Sequence, residues 1–397
     1  MGGLNSAHRR GARRGRVGVS EMADNRAPLV FCSKSTWEPS IRREHALALL
    51  AAGHGHRVTF IERPLDIRAF RTFAGARQWL GAVGTPAERS GASEPTVLPS
   101  ASITPGHMGA ISERTSSLML GRLLRTLAPE AVVVVNAPWQ WPATAYTQAR
   151  RVFDCADDWR SISGMRGERV LEIYERIGRE ADAIILANPM LTEFFPGERT
   201  SVVRNGVAED MLVAVTPAPQ KSRLVHTGTL TPRFDLELAA SLLDELPDWS
   251  LDLYGQCQYP RLQDRPSTEL VSLLAQYAPR LHWHGVLPRD RLAAAIDDAD
   301  VALVLNRPEF SAGQDSMKLY DYAARGRPIV TTRFAEDLES NGPPHLRIAD
   351  DMRSMAAAVI ESVGEPPTMA DERRNWAEEQ RWSSRWPAWS AAAFGGS

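Results

Sequence analysis

Residues 307–330 read Arg307-Pro308-Glu309-Phe310-Ser311-Ala312-Gly313-Gln314-Asp315-Ser316-Met317-Lys318-Leu319-Tyr320-Asp321-Tyr322-Ala323-Ala324-Arg325-Gly326-Arg327-Pro328-Ile329-Val330. An apolar run at 301–305 precedes this stretch and another at 329–332 closes it. That order spells strand, polar loop, short helix, glycine stop and strand. Asp315 and Ser316 are N-cap candidates, and Gly326 is the C-terminal stop. Lys318 and Asp321 stand three apart and share a helix face, while Met317, Tyr320 and Ala324 take another side. An uncapped helix start with a lysine beside it suits an anion, above all a phosphate. A carboxylate one turn further in suits a pair of sugar hydroxyls. A nucleoside-diphosphate sugar presents both groups.

The rest of the chain is consistent with a protein large enough to hold such a ligand between two domains. It has 397 residues, which is long for one core. Hydrophobic residues make up 43% and charged residues 24%, the balance of a globular protein rather than a disordered one. A formal net charge of -2 argues against a nucleic-acid binder. The three cysteines, Cys32, Cys155 and Cys257, form no CxxC and indicate neither a disulfide framework nor a zinc site. No apolar run is long enough to span a bilayer. Residues 8–16 are rich in arginine but lack a following apolar segment, so they read as a disordered basic tail rather than a secretory signal.

Strand and helix patterns alternate along the whole chain. Residues 28–33, 41–52 and 57–62 read as strand, helix and strand, a parallel right-handed unit. Its first strand-to-helix loop lies at the ligand edge of such a sheet and carries Lys34, Ser35, Thr36, Trp37, Glu38 and Arg42. Between 64 and 110 the glycines and prolines break any long element, leaving a short strand near 96–98. A helix at 112–127 and a strand at 131–135 follow, then the aromatic loop Asn136-Ala137-Pro138-Trp139-Gln140-Trp141-Pro142. The strand at 151–154 leads into Asp157-Asp158-Trp159-Arg160. After a linker at 213–222 the alternation restarts and runs to a helix at 351–362. Trp376, Trp382, Trp386 and Trp389 make the segment after 369 too aromatic for a solvated tail, and their indoles need a surface. The expected layout is a basic tail at 1–26, an acceptor-binding domain at 27–212 joined by a C-terminal helix at 369–390, and a donor-binding domain at 223–368. The expected fold class is α/β, with two doubly wound Rossmann-like domains facing across a cleft.

Five short motifs, in order and each on the expected strand-loop-helix context, carry a resemblance. They are Thr227-Gly228-Thr229-Leu230-Thr231-Pro232-Arg233-Phe234-Asp235, Tyr254-Gly255, His284-Gly285-Val286-Leu287, Ala299-Asp300-Val301-Ala302-Leu303, and residues 316–328. Together they resemble the GT-B glycosyltransferases, most closely the retaining family-4 type, in the branch similar to teichuronic-acid and polysaccharide glycosyltransferases. The resemblance covers about residues 27–390 and is strongest in the second half.

What the resemblance implies can be placed residue by residue. Gly228 and Thr229 approach the donor diphosphate, and Arg233 and Lys318 neutralise it as the leaving group gains charge. An alternative for Arg233 is a solvated surface pair. Val286 marks where the nucleobase sits, and Tyr254 either lines the cleft or belongs to the core. Relatives often carry two glutamates eight positions apart. Asp321 takes the second position and the ribose, whereas Gly313 takes the first, so Asp315 from a shifted loop is the candidate replacement. The main-chain groups of Gln314, Asp315 and Ser316, with Met317, complete the donor side.

On the acceptor side, Trp37, Arg42, Trp139 and Asp157 are the binding candidates and Asp158 the catalytic one. Asp157 and Asp158 have an alternative role in capping the following turn. His107 and His226 read as structural. The resemblance implies no metal and no cofactor, with the donor phosphate taking the acceptor proton. The expected partners are a nucleotide-sugar donor and a glycan, lipid-linked or small-molecule acceptor. The expected location is the cytoplasm, with peripheral association at the inner membrane face left open. A sugar-nucleotide epimerase of the same fold and a non-catalytic nucleotide-sugar-binding subunit are the competing readings.

Overall fold

The computed structural model describes residues 26–37, 41–83, 94–103, 109–127, 129–162, 165–213, 221–257 and 266–395. Glu38, His107, the basic tail up to residue 25 and most of the expected linker lie outside the described residues.

Two all-parallel sheets form the frame. The first contains β1 (Leu29–Cys32), β2 (Val58–Ile61), β3 (Thr96–Leu98), β4 (Val132–Val135), β5 (Arg150–Cys155), β6 (Ala183–Leu186) and β7 (Thr200–Val202), in spatial order β3-β2-β1-β4-β5-β6-β7. The second contains β8 (Arg223–Thr227), β9 (Ser250–Tyr254), β10 (Leu281–Gly285), β11 (Val301–Val304), β12 (Ile329–Thr332) and β13 (Arg347–Ala349), in order β10-β9-β8-β11-β12-β13. Helices cover both faces, which is why the central strands are apolar throughout. β1, β4, β6 and β11 are buried at every position. In each sheet the order reverses beside the first strand, between β1 and β4 and between β8 and β11. Such switch points open a crevice beyond the carboxyl ends of the strands.

The chain end returns to the first sheet. Helix Trp382–Phe394 buries Trp382, Trp386 and Trp389 in one cluster with Leu29, Phe31, Val132, Val134 and Ile185. The Trp389 indole donates to Asp154 Oδ2 at 2.7 Å, and Arg43 Nε donates to Asp154 Oδ1 at 2.6 Å. All three indoles therefore find an apolar surface and Trp389 a polar partner as well, whereas the Trp382 indole N–H is buried without one. The preceding helix, Pro367–Glu379, lies instead on the second half, with Trp376 against Tyr320 at 5.3 Å. The single C-terminal helix expected at 369–390 is thus two helices, each serving a different half.

Two elements depart from the sequence expectation. Helix Phe73–Val83 runs through Gly75 and Gly81 in a region where glycines were expected to break any long element. Each glycine costs a helix about 1 kcal/mol, and tertiary contacts offset it. Trp79 donates to Ser102 O at 2.8 Å and packs edge-on to Phe70 at 5.3 Å. Strand β13 has no counterpart in the sequence pattern, because three residues at the sheet edge are too few to show a periodicity.

Candidate functional site

A cleft of about 350 Å³ lies between the carboxyl edges of the two sheets. From the second half it receives the loops after β8, β9 and β10 and the helix Met317–Ala324. From the first half it receives the loop after β1, the start of helix Arg43–Gly53 and Asp157 after β5.

The decisive stretch folds as its pattern demands. Met317–Ala324 is a helix whose N-cap, Ser316, makes no capping bond with its side chain. The Ser316 hydroxyl is buried without a hydrogen-bond partner. Lys318 and Asp321 both face the cleft from this helix, and Met317 lines it too. The Lys318 side chain lies against Gly228, whose φ is +108°. A Cβ on that glycine would fall 2.8 Å from Lys318 Cε, so the loop after β8 approaches the lysine only because residue 228 has no side chain. Among the described residues, the Lys318 ammonium has no hydrogen-bond acceptor. Burial, together with the positive charges of Arg233 and Arg42, lowers its pKa from 10.5 to about 8. The site thus holds a desolvated cation with no direct ion pair among the described residues, attracted only at longer range by Asp321 and Asp157, and a bound anion would supply a direct partner.

Asp321 shows the opposite effect. Burial raises its pKa from 3.8 to about 6, only partly countered by Arg289, whose guanidinium lies 3.7 Å away, and by Lys318. His226, behind the lysine, donates to or accepts from Leu303 O at 3.0 Å through Nδ1 and packs on Phe234 at 4.5 Å. Burial and the Lys318 charge hold its pKa well below 6.5, so the imidazole is neutral. That is the structural role expected of it.

Arg233 reaches across the cleft. Its Nε donates to Phe310 O at 2.8 Å, and its Nη1 donates to Asp157 Oδ1 at 3.0 Å. Its Nη2 is buried with no partner. Lys34, from the loop after β1, donates to the other oxygen, Asp157 Oδ2, also at 3.0 Å. Asp157 is therefore clamped between one cation from each half. Burial alone would raise its pKa, but Lys34 and Arg233 outweigh burial and hold it far below the usual carboxylate range. It is ionised at any physiological pH.

Several sequence candidates lie elsewhere. Asp158 does not enter the cleft. Its carboxylate takes both Nε and Nη2 of Arg160, at 3.1 and 2.8 Å, so the consecutive aspartates point to different partners. Asp158 also accepts the Arg160 backbone N–H at 3.0 Å, the turn-capping role. Trp139 packs edge-on against Trp159 at 4.6 Å in the first core, and Trp37 packs edge-on against Phe60 at 4.8 Å. Both aromatics were expected to meet an acceptor. Both are instead half-buried against the margins of the first-half cores and do not line the cleft. Arg42, Gly228, Thr229, Val286 and Tyr254 do line the cleft.

Asp315 lines the cleft, but its carboxylate is already engaged. It accepts the Asn205 backbone N–H at 2.6 Å and the Tyr320 hydroxyl at 2.9 Å, and Arg204 stands 3.8 Å away. It straps the two halves together. Gly313 explains why no glutamate stands at its position. It has φ +66°, and a Cβ there would lie 2.9 Å from Leu191 and 3.2 Å from Asp158 Cβ, both in the first half. The close seating of the two halves leaves no room for a side chain. Lys34 and Arg289 also line the cleft, beyond the residues that the sequence singles out. The signal for Lys34 was its place in the first strand-to-helix loop. Arg289 gave none, because its pairing with Asp321 is visible only in three dimensions.

Comparisons with known proteins agree with this geometry. Residues 221–364 match the family model described as Glycosyl transferases group 1. No match was found among curated proteins. Among solved structures, sucrose-phosphate synthase from Thermosynechococcus elongatus is similar with a TM-score of 0.72 at 14% identity, covering 92% of this chain and 98% of that one. HepE of Anabaena, solved in complex with UDP and glucose, gives a TM-score of 0.64 at 13% identity over 92% and 98%. The UDP-forming α,α-trehalose-phosphate synthase of Burkholderia vietnamiensis gives 0.62 at 13% identity over 92% and 96%. The chain thus has the GT-B fold. Residues 221–364, most of its second half, are similar to the group 1 glycosyl transferase domain.

Proposed function

We propose that this protein transfers a hexosyl group from a nucleoside-diphosphate sugar to an acceptor hydroxyl, with retention and without a metal in the reaction. The carrying observation is the partnerless, desolvated Lys318 ammonium at an uncapped helix start, with Arg233 across the cleft and Asp321 one turn further along. Lys318 and Arg233 take the diphosphate and stabilise its charge as the glycosidic bond breaks. Asp321 takes the ribose hydroxyls, and Val286 borders the base. HepE of Anabaena was solved with UDP and glucose, which makes UDP-glucose the first donor to try.

Retention is supported by the carboxylates on the acceptor side. An inverting enzyme needs a general base there. Asp157 is clamped by two cations, and Glu44 accepts from the Ser35 hydroxyl at 2.7 Å and is held below its ordinary pKa. Such acids are weak bases. The donor phosphate is the better proton acceptor.

The acceptor is a glycan, a lipid-linked glycan or a small molecule, and the surface of the first half favours a membrane-bound one. Ile67, Phe70, Phe73, Leu80 and Val83 are exposed, Phe73 by 86%, and no acidic residue occurs from 67 to 83, where Arg68, Arg71 and Arg77 stand. Apolar side chains among arginines suit an anionic lipid surface. No described helix is long and apolar enough to cross a membrane. The deciding experiment incubates the protein with UDP-glucose and candidate acceptors, with and without anionic vesicles, and reads the product linkage by NMR. An α-linked product is expected. A β-linked product would overturn retention, and turnover of no common nucleotide sugar would overturn the enzymatic reading.

A further inference from the structure

His282 and His284 stand two apart on β10, the edge strand of the second sheet, and so present their rings on one face. Asp252 on β9 is the direct register partner of His282. His284 Nε2 lies 2.6 Å from Asp252 Oδ1, and His282 Nδ1 lies 3.3 Å from the same oxygen. All three ligand atoms fall within 4.8 Å of one another. Bonds of about 2.0–2.2 Å to a tetrahedral ion place its ligand atoms roughly 3.3–3.5 Å apart, a spacing that small rotations of the two exposed imidazoles can reach from the 4.8 Å limit seen here.

The surroundings suit the same ion. The Asp252 side chain is 6% exposed, which fixes its oxygens, whereas the His282 and His284 side chains are 43% and 39% exposed, which leaves an approach from solvent. The second carboxylate oxygen is held by Arg223 Nε at 3.3 Å, the kind of outer contact that orients a ligating carboxylate. Arg223 is itself paired with Asp298, so its charge is balanced locally. The His284 ring stacks on Tyr254 at 4.5 Å and 14°, and Tyr254 lines the donor cleft.

We propose that Asp252, His282 and His284 form a binding site for a divalent transition-metal ion of the zinc class. Two imidazoles and one carboxylate suit zinc, cobalt or nickel rather than magnesium or calcium. The site lies outside the reacting cleft, so the ion takes no part in glycosyl transfer. It ties the edge strand β10 to β9 and fixes the ring that backs Tyr254.

The test uses the full chain, free of any histidine tag and stripped with a chelator. Cobalt is titrated in and its visible absorption recorded, and zinc binding is followed by calorimetry. One equivalent per chain is expected, with affinity falling about tenfold or more in His282→Ala and in His284→Ala. Both side chains are substantially exposed, so these variants should fold. As a check that needs no variant, zinc should raise the melting temperature of the wild-type chain. Equal binding by wild type and by the double variant His282→Ala/His284→Ala would overturn the site, as would an unchanged wild-type melting temperature at saturating zinc.

Discussion

The two walls of the cleft are built by different means. The second-half wall is mainly backbone geometry: a glycine at φ +108°, a helix start with no side-chain cap, and one lysine laid over the glycine. The first-half wall is side-chain charge, with Lys34 and Asp157 paired at 3.0 Å and Arg233 reaching across to join them. Backbone features fix where a phosphate sits whatever sugar is attached. Charged side chains can be exchanged without disturbing a strand. Under the proposed function the donor diphosphate lies against the backbone-built wall and the acceptor against the charge-built wall, where a side-chain exchange changes the chemistry without moving a strand.

The sharpest way to break this contrast is to remove one group from the second-half wall and one ring of the first half that the cleft does not use. Lys318→Ala should lower turnover roughly 10²–10³-fold, because it takes away the cation at the helix start, and UDP binding measured by calorimetry should fall with it. Trp139→Phe, in the first half but outside the cleft lining, should leave kcat/KM within about twofold, since its ring lies against Trp159. A large acceptor effect of Trp139→Phe, or unchanged UDP binding in Lys318→Ala, would dissolve the distinction.

The same contrast explains what could be read from the sequence. The alternation of strand and helix, the two-domain α/β class and the cleft-facing Lys318 and Asp321 follow from local periodicity, which survives folding. Asp157 and Asp158 are identical in type and adjacent, and nothing local tells which one meets Arg233 and which one Arg160. Tryptophan is equally at home against a core and on a sugar, so loop position alone does not tell that Trp37 and Trp139 pack half-buried against the core margins. Helix Phe73–Val83 stayed hidden because its stability comes from Trp79 and its contacts, not from its own glycine-containing sequence.

Gly313 offers a second way to sharpen the comparison, through the seam between the walls. The resemblance read from the sequence implies a carboxylate at this position. Gly313→Glu should nevertheless give a weaker fold and no gain in activity. The substitution forces a left-handed backbone on a residue with a Cβ and drives that atom against Leu191 and Asp158. The combined cost is about 2–5 kcal/mol, readable as a lower denaturation midpoint. A stable, more active Gly313→Glu would mean that the halves separate easily and that the seam is not a fixed part of the site.

Asp321 gives the smallest effect and the most informative one, because binding and stability should move in opposite directions. Its pKa is raised from 3.8 to about 6 in the folded protein. Between those values the folded chain holds a proton that the unfolded chain has lost, so this group's contribution to stability falls as pH rises from 3.8 to 6. Above pH 6 the full penalty of a buried carboxylate is present, on the order of 1–3 kcal/mol. Asp321→Asn removes that penalty and should raise the melting temperature at pH 7.5, with little change at pH 3.5, while weakening UDP binding through loss of the ribose contact. Lys318 sets the other limit of the pH profile. With a pKa of about 8 it loses its charge as pH rises through that value, and UDP affinity should decline above it. Calorimetry and melting curves on the two proteins across this range check both points. If Asp321→Asn proves less stable than wild type at pH 7.5, the carboxylate is held by its pairing with Arg289 and serves the fold rather than the nucleotide.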